Sequence, residues 1–215
     1  MAELDVVVVA SGEGPALTLP AARTVVAADG GLDRARALGL EVDVVVGDLD
    51  SVTPDALAAA ESAGARIVRH PQAKDATDLE LALDEAVALS ATRALVVASA
   101  EGRLDHLLGS LLLFAAERYA ALELDALVGG ALVHVVRAER RLEGSAGELL
   151  TLVPLGGPAT GVTTEGLQYP LAGETLAPGT TRGVSNVFLA EVATVTVGSG
   201  TLLAIRPDSA KRGLW

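Results

Sequence analysis

The stretch VDVVVGDLDSVTPDALAAAESAGARIVR, residues 42–69, shows the repeating unit from which the first half of the chain is built. It begins with an apolar β-branched run, passes through the polar turn Gly47–Ser51 and continues into Thr53-Pro54. This pair is typical of a helix start, because Thr can cap the first turn and Pro fits the first helical position. Strand, helix and strand in succession predict a parallel sheet with crossover helices. The predicted elements are a strand over Val42–Val46, a helix from Pro54 to about Ala63 and a strand over Ala65–Arg69.

The same alternation of strand and helix extends on both sides of this stretch. Continuous runs of Val, Leu and Ala are typical of strands that are buried on both faces of a parallel sheet. We therefore predict an α/β fold with a Rossmann-like parallel sheet for the N-terminal part. The further strands are Leu4–Ala10, Thr24–Ala28, Ala94–Ala98 and Leu124–Val128; the further helices are Leu32–Leu38, a segment from Thr77 to about Leu89 and an apolar segment that ends near Tyr119.

The second part of the chain has a different pattern. After Gly129-Gly130 and a strand over Ala131–Arg137, the helical periodicity disappears. Short β-rich runs separated by Gly and Pro predict an antiparallel β-sandwich, and Gly198-Ser199-Gly200 predicts a hairpin connection. We predict two domains, residues 1–130 and 131–215. The β-rich runs are Glu148–Val153, Gly161–Thr164, Val187–Val197 and Thr201–Ile205.

Composition limits the classes of partner. Aromatic residues make up 2% of the 215 residues and the formal net charge is −12, which argues against nucleic acid as a partner. Residues 1–125 hold 9 Lys and Arg and 21 Asp and Glu, so this part carries the whole acidic excess. No apolar run approaches the roughly 18 residues that span a bilayer, and the first residues lack a signal pattern. We expect a cytoplasmic protein without a membrane partner. The absence of cysteine excludes thiol chemistry.

Four polar clusters follow predicted strand ends, where parallel sheets bind their ligands. Asp48 and Asp50 could hold a hard divalent cation such as Mg²⁺, although Asp, Gly and Ser are also common in strand-to-helix turns. Thr77 and Glu80 form a capping box, which leaves the charges of Lys74 and Asp75 in the same loop unexplained. A row of carboxylates beside Lys and Arg predicts a site for a metal–polyphosphate complex. The clusters are Asp29-Gly30-Gly31, Asp48-Leu49-Asp50-Ser51, Asp75-Ala76-Thr77-Asp78 and Arg103-Leu104-Asp105-His106.

Neither of the two common phosphate-binding loops is present. The glycine-rich turn Ser11-Gly12-Glu13-Gly14-Pro15 follows the first strand, but Leu17 stands where a dinucleotide fingerprint requires a third Gly. No Walker-type loop occurs anywhere in the chain.

Six blocks of the sequence, in order, resemble the thiamine pyrophosphokinase (thiamine diphosphokinase) family. Each block alone is short, but the ordered set is specific and spans nearly the whole chain. The blocks are ADGG at 28–31, GDLDS at 47–51, KDATDLELAL at 74–83, GRLDH at 102–106, TTEGLQYPL at 163–171 and GVSN at 183–186.

The resemblance implies an enzyme of two domains, an ATP- and Mg²⁺-binding catalytic α/β domain over residues 1–130 and a thiamine-binding β-sandwich over residues 131–215. Members of the family transfer the diphosphate of ATP to the hydroxyl of thiamine and release AMP, with Mg²⁺. The resemblance also implies a homodimer whose active site lies between subunits.

The family motifs assign roles to individual residues of this chain. The implied catalytic and metal-binding acids are Asp48, Asp50 and Asp78. The implied ATP- and phosphate-binding residues are Asp29, Gly30, Gly31, Ser51, Lys74, Asp75, Thr77, Arg103, Asp105 and His106. The implied thiamine-binding residues are Tyr169, Ser185 and Asn186.

The sequence departs from the family pattern at two positions, and two other functions are compatible with the motifs. Tyr169 stands where the family often has Trp, and Ser110 stands near a position that usually holds Asn. One rival is a diphosphokinase for another alcohol, such as a hydroxymethylpterin; the blocks at 163–171 and 183–186 favour thiamine. The other is a nucleotide- or thiamine-binding regulator without activity, against which the three proposed metal acids argue.

Overall fold

The computed structural model describes residues 4–14, 18–207 and 209. By its internal contacts the chain divides into two compact units, Met1–Leu113 with Ala121–Gly129, and Phe114–Ala120 with Gly130–Trp215. The strands of the first unit are β1 (Leu4–Val9), β2 (Ala22–Ala28), β3 (Val44–Gly47), β4 (Arg66–Arg69), β5 (Arg93–Ala98) and β6 (Glu123–Val128), and its helices are α1 (Gly31–Ala37), α2 (Pro54–Ser62), α3 (Asp78–Ala88) and α4 (Leu104–Leu113).

The first unit contains the predicted parallel sheet, with strand order β4-β3-β2-β1-β5-β6. Its inner strands are almost wholly buried, which explains why they are continuous runs of Val, Ala and Leu. α1 and α2 pack small and branched side chains onto β2 and β3, in a core that includes Leu32, Val45 and Ala60. The helix starts also follow the prediction, since Thr53 and Thr77 cap α2 and α3 by accepting hydrogen bonds from Ala56 N and Glu80 N.

The predicted end of the last helix was wrong. α4 stops at Leu113, and a 3₁₀ turn over Glu117–Tyr119 follows. The guanidinium of Arg137 donates to the carbonyl oxygens of Phe114 (2.6 Å), Ala116 (3.2 Å) and Tyr119 (3.4 Å). Carbonyl groups that a longer helix would use are therefore bound by an arginine of the second unit, to which this segment belongs.

The second unit is an antiparallel β-sandwich, as predicted. Its strand order is β7-β13-β9-β12-β8, with β10 and β11 also paired to β9. Leu142, Leu150, Phe188 and Leu202 are among the side chains of its apolar core. The strands are β7 (Ala131–Val136), β8 (Glu139–Glu143), β9 (Leu149–Glu165), β10 (Glu174–Leu176), β11 (Asn186–Val187), β12 (Val192–Thr196) and β13 (Ser199–Arg206).

The strand β9 joins two of the runs that the sequence suggested were separate, and it explains a second error. β13 pairs with residues Thr151–Thr160 of β9, and β12 pairs with Thr163–Glu165. Gly161, with φ of +64°, lies between these two stretches, where the long strand passes from one partner to the other. β12 and β13 thus flank β9, so Gly198-Ser199-Gly200 does not connect a hairpin. The edge strand β8 was not predicted.

None of the helices in the described part of the chain is long and apolar enough to cross a membrane.

Candidate active site

Three carboxylates from different elements converge at the carboxyl edge of the parallel sheet. Asp29 follows β2, Asp48 follows β3 and Asp78 is the first residue of α3. One carboxylate oxygen of each lies within 4.8 Å of the others. Because β2 and β3 are parallel neighbours, their carboxyl ends reach the same edge, and the loop after β4 brings the third acid there. We call Asp29, Asp48 and Asp78 the acidic cluster.

The local backbone is shaped for this convergence. A Cβ atom on Gly47 would lie 3.0 Å from Oδ1 of Asp78 and 3.1 Å from Cβ of Asp29, so a side chain at position 47 would crowd two of the acids. Asp29 and Leu49 have φ of +47° and +65°, a conformation that non-glycine residues rarely adopt. Leu49 is buried in the core beside α1 and α2, which anchors the loop that carries Asp48 and Asp50.

Lys74 supplies the counter-charge of the acidic cluster. Its Nζ lies 2.9 Å from Oδ2 of Asp48 and 3.0 Å from Oδ1 of Asp78. The hydrogen bond from Lys74 lowers the pKa of Asp48, so this carboxylate is held ionised. Burial lowers the pKa of Lys74, but its two acidic partners raise it by more, and the net pKa is raised. The lysine is thus a fixed cation among the acids.

Asp29 is the least satisfied member of the cluster. It is buried, and its Oδ1 has no hydrogen-bond partner. Burial raises its pKa, and the charge of Asp78 adds to this rise. Oδ1 of Asp78, although 3.0 Å from Lys74, forms no hydrogen bond of acceptable geometry. Two unsatisfied carboxylate oxygens in an all-oxygen donor set fit a hard divalent cation such as Mg²⁺.

The set of acids differs from the one that the family motif implies. Asp50 is exposed and lies outside the acidic cluster. Its Oδ1 accepts from Ser51 Oγ (2.9 Å) and its Oδ2 from Gln72 Nε2 (2.9 Å), so it ties the loop after β3 to the loop after β4. Asp29, to which the resemblance gives a role in nucleotide binding, lies in the cluster with Asp48 and Asp78. Gln72 was missed because an exposed amide in a loop gives no signal in one sequence.

The other predicted site residues of these loops are two tightly packed glycines, a helix cap and an exposed acid. A Cβ on Gly31 would lie 2.0 Å from the carbonyl oxygen of Val9, and one on Gly30 would lie 3.2 Å from that of Ser51. Both glycines therefore allow close packing at the sheet edge. Thr77 is used as the cap of α3, and Asp75 is exposed.

Arg103, Asp105 and His106 form a separate group at the start of α4. Nη2 of Arg103 lies 2.6 Å from Oδ2 of Asp105, and this hydrogen bond lowers the pKa of Asp105 to about 2. All three residues are exposed. Among the described residues no hydrogen bond or ion pair joins them to the acidic cluster. Ser110, on the same helix, donates its hydroxyl to the carbonyl oxygen of His106 (2.8 Å).

The predicted thiamine-binding residues cluster in the second unit. Nδ2 of Asn186 donates to Tyr169 O (2.7 Å), and its Oδ1 accepts from Tyr169 N (3.0 Å) and Val187 N (2.9 Å). Ser185, with φ of +58°, donates its N–H to Oγ1 of Thr151 (3.0 Å). The buried amide of Asn186 is therefore bound to the backbone of Tyr169, whose own side chain is 52% exposed. Thr151 was not foreseen.

Comparison with known proteins agrees with the order of these features. The family model for the thiamin pyrophosphokinase catalytic domain matches residues 16–124, and the model for the thiamin pyrophosphokinase vitamin B1 binding domain matches residues 133–202. Thiamine pyrophosphokinase 3 of Oryza sativa subsp. japonica is 31% identical over 169 residues, which are 73% of this chain and 62% of the relative. Thiamine pyrophosphokinase 1 of the same plant is 29% identical over 175 residues, or 76% and 65%. The chain thus spans less than two thirds of the length of these relatives.

Solved structures share the fold. Thiamine pyrophosphokinase from Bacillus subtilis superposes with a TM-score of 0.80 at 24% identity, covering 94% of this chain and 97% of that one. Yeast thiamin pyrophosphokinase superposes with a TM-score of 0.71 at 14% identity, covering 94% and 86%. Because two family models in succession match most of its residues, the chain belongs to the thiamin pyrophosphokinase family.

Proposed function

We propose that this protein is a thiamine diphosphokinase, an ATP-dependent transferase that moves diphosphate from Mg-ATP to the hydroxyl of thiamine and yields thiamine diphosphate and AMP. The observation that carries the proposal is the acidic cluster with Lys74, which lies within the part of the chain matched to the family's catalytic domain. The match of residues 133–202 to the vitamin B1 binding domain supports thiamine as the acceptor.

The acidic cluster would hold Mg²⁺. When bound, the ion supplies positive charge that neutralises the polyphosphate. Asp48 is suited to this role because its pKa is lowered, so it is ionised throughout the neutral range. We assign the metal site to Asp29, Asp48 and Asp78, with Asp50 as the residue that holds the loop in place through Gln72.

In the proposed reaction the hydroxyl oxygen of thiamine forms a bond to the β-phosphorus of ATP. The bond from this phosphorus to the oxygen that bridges to the α-phosphate breaks, AMP leaves with the electron pair, and the hydroxyl proton passes to a base. Lys74 and Arg103 would stabilise the charge that develops on phosphate oxygens. The further nucleotide contacts that we propose are those implied by the family motifs, namely Ser51, Asp75, Thr77, Asp105 and His106.

The acceptor would bind at the second unit. We propose that Tyr169 contributes its exposed aromatic ring to the thiamine pocket, and that Ser185 lies beside it. Asn186 acts through Tyr169, since its amide is already bound to the backbone of that residue.

We also propose that the protein is a homodimer. The helix α4 has no buried residue, although most of its side chains are apolar. Leu104, Leu108 and Leu112 are four residues apart on one face and are each more than half exposed. A second copy of the chain that packs on this face would remove the apolar surface from water. The cytoplasmic location stays a prediction.

One assay tests the proposed activity. The purified protein is incubated with Mg-ATP and thiamine, and nucleotide and thiamine products are separated by chromatography. We expect AMP and thiamine diphosphate in equal amounts. ADP would indicate a monophosphate kinase, turnover only with a hydroxymethylpterin would indicate another acceptor, and binding without product would indicate a regulator.

Two variants connect the activity to the acidic cluster. Asp48→Asn should lower Mg²⁺-dependent turnover by on the order of 100-fold or more, because it removes a charged ligand from the site. Asp55→Asn, an exposed acid in the first turn of α2, is the matched control and should retain activity. Equal activity of the two variants would contradict the metal assignment.

A further inference from the structure

Arg34 is a buried cation whose two terminal nitrogens have no hydrogen-bond partner. Its side chain belongs to α1, the residue is 9% exposed, and both terminal nitrogens of the guanidinium are buried without a hydrogen bond. Burial lowers its pKa. Arginine nevertheless stays protonated in proteins, so the charge must be compensated in some other way.

The fold satisfies its other inward-facing arginines. Arg206 forms two hydrogen bonds with the carboxylate of Glu148, and Arg137 donates to three carbonyl oxygens. Arg34 differs from both, although at 9% exposed it is nearly as buried as Arg206 at 6%. A structural arginine is expected to have such partners. The unmet hydrogen-bonding capacity of Arg34 therefore points to a ligand.

The glycine-rich loop after β1 lies against this guanidinium. A Cβ atom on Gly14 would lie 2.6 Å from Nη2 of Arg34. Gly12, with φ of +102°, is as close to Ser99 at the end of β5, where an added Cβ would lie 2.7 Å from Cβ of Ser99. Both glycines allow the backbone of residues 11–14 to approach its neighbours closely. Within the described residues, the N–H groups of this loop form no main-chain hydrogen bonds.

The loop also adjoins the acidic cluster. Oγ of Ser11 donates to the carbonyl oxygen of Ala28 (3.4 Å), one residue before Asp29. A Cβ on Gly30 would lie 3.1 Å from the same Oγ atom. The loop and Arg34 are therefore at the same edge of the sheet as the acids, on the side of β1.

We propose that Arg34 and the main-chain N–H groups of residues 11–14 form an oxyanion subsite that binds a phosphate group of the nucleotide. The proposal rests on the proposed function, since it adds to Lys74 a further cationic contact for the polyphosphate. The planar guanidinium can donate two parallel hydrogen bonds to phosphate oxygens, and the main-chain N–H groups of a glycine-rich turn can donate to the others. This arrangement takes the place of the two phosphate loops that are absent from the sequence.

The test compares three variants by thermal unfolding and by calorimetric titration. Arg34→Met removes the charge and keeps much of the apolar volume. Arg34→Lys keeps the charge but loses the planar guanidinium that can donate two parallel hydrogen bonds. Arg36→Met, on the exposed side of the same helix, is the matched control. The probes are Mg-ATP and inorganic pyrophosphate, and circular dichroism checks folding.

We expect Arg34→Met to weaken binding of both probes by about ten- to a hundredfold, with a smaller loss in Arg34→Lys and none in Arg36→Met. The ligand-free Arg34→Met protein should melt at the same temperature as wild type or higher, because an uncompensated buried charge is gone. A merely structural arginine predicts the opposite, a lower melting temperature and unchanged affinity, and this result would overturn the proposal. If Arg34→Met does not fold, an unchanged affinity of Arg34→Lys for both probes would overturn the proposal.

The two probes separate this proposal from the proposed function. Binding of pyrophosphate that depends on Arg34, without any formation of AMP from ATP, would preserve the subsite and refute the kinase. Formation of AMP with wild-type affinity in Arg34→Met would preserve the kinase and refute the subsite. A wild-type protein that binds neither probe would also refute the subsite.

Discussion

Asp29 is subject to opposing demands from stability and from function. It is buried beside Asp78 in a strained conformation, with one oxygen unsatisfied. Its pKa is raised, so protonation is easier in the folded chain than in the unfolded chain. The stabilising contribution of this group is therefore fully present below its unfolded-state pKa of 3.8 and is lost as the pH rises through the folded-state value. At neutral pH the ionised group is a liability, as is common at functional sites.

Asp29→Asn should therefore raise the free energy of unfolding at pH 7 by about 1 kcal/mol, because an uncharged amide replaces a buried carboxylate. The gain should shrink as the pH approaches 3.8, where wild-type Asp29 becomes protonated in both states. Urea unfolding at several pH values measures this difference. Turnover with Mg-ATP should fall by on the order of 100-fold. A variant that is less stable than wild type at pH 7 would contradict the assignment of Asp29 as a strained ligand.

Asn186 acts by holding Tyr169 in place. Asn186→Ala removes three hydrogen bonds and leaves the N–H and carbonyl of Tyr169 without their partner. We expect a loss of about 2–4 kcal/mol in the free energy of unfolding. We also expect KM for thiamine to rise by about tenfold, whereas KM for ATP stays unchanged. Steady-state kinetics with each substrate varied in turn check this split. An equal rise in both KM values would argue against a specific effect on the acceptor site.

At the scale of the elements, a buried ion pair connects the end of β13 to the residue that precedes β9. Nε of Arg206 lies 2.7 Å from Oε1 of Glu148, and their side chains are 8% and 5% exposed. Oε2 of Glu148 also accepts from Ser145 N (3.1 Å). One carboxylate thus connects the last residue of β13 to the turn that precedes β9.

Glu148→Gln should lower the free energy of unfolding by about 3–5 kcal/mol, because it leaves the charge of Arg206 buried and unpaired. Glu174→Gln is the matched control. Its partner Arg182 is bound by two hydrogen bonds of similar length, at 2.9 and 3.1 Å, but these side chains are 39% and 48% exposed. The control should cost less than about 1 kcal/mol. Chemical denaturation of both variants measures the contrast, and equal losses would show that burial does not decide the contribution of these pairs.

For the whole molecule, the apolar face of α4 predicts self-association. Leu108→Lys places a charge in the centre of this face and should convert the proposed dimer to a monomer, as measured by light scattering after gel filtration. Leu89→Lys at the end of α3 is the control, since Leu89 is also exposed and a cation suits a helix C-terminus. A wild-type protein that is monomeric at micromolar concentration would refute the homodimer.

Much of the fold could be read from local patterns. The strands of the first unit are runs of Val, Leu and Ala, and Thr53 and Thr77 mark helix starts through contacts within a few residues. The errors arose where distant residues decide. The end of α4 depends on Arg137, and the pairing of β12 depends on β9 rather than on the glycines next to it.

For the candidate site too, local features could be predicted from the sequence, whereas features that depend on distant residues could not. That acids gather at the carboxyl edge followed from the order of strands, and the loops around Asp48 and Asp78 were found from their sequence. That Asp29 joins them while Asp50 binds Gln72 depends on side-chain directions set by Gly47 and by the buried Leu49. The direction of these side chains could not be predicted from any periodic pattern in the sequence.

The sequence by itself determined the fold class and the family of this protein, because hydrophobic runs, helix caps and ordered motifs depend on residues that are close together in the chain. The tertiary structure alone decided which acids form the cluster, that Lys74 lies between two of them, and that the terminal nitrogens of Arg34 are buried without a hydrogen bond. These properties depend on distances between residues far apart in the chain and on access to water, and both exist only after the chain has packed.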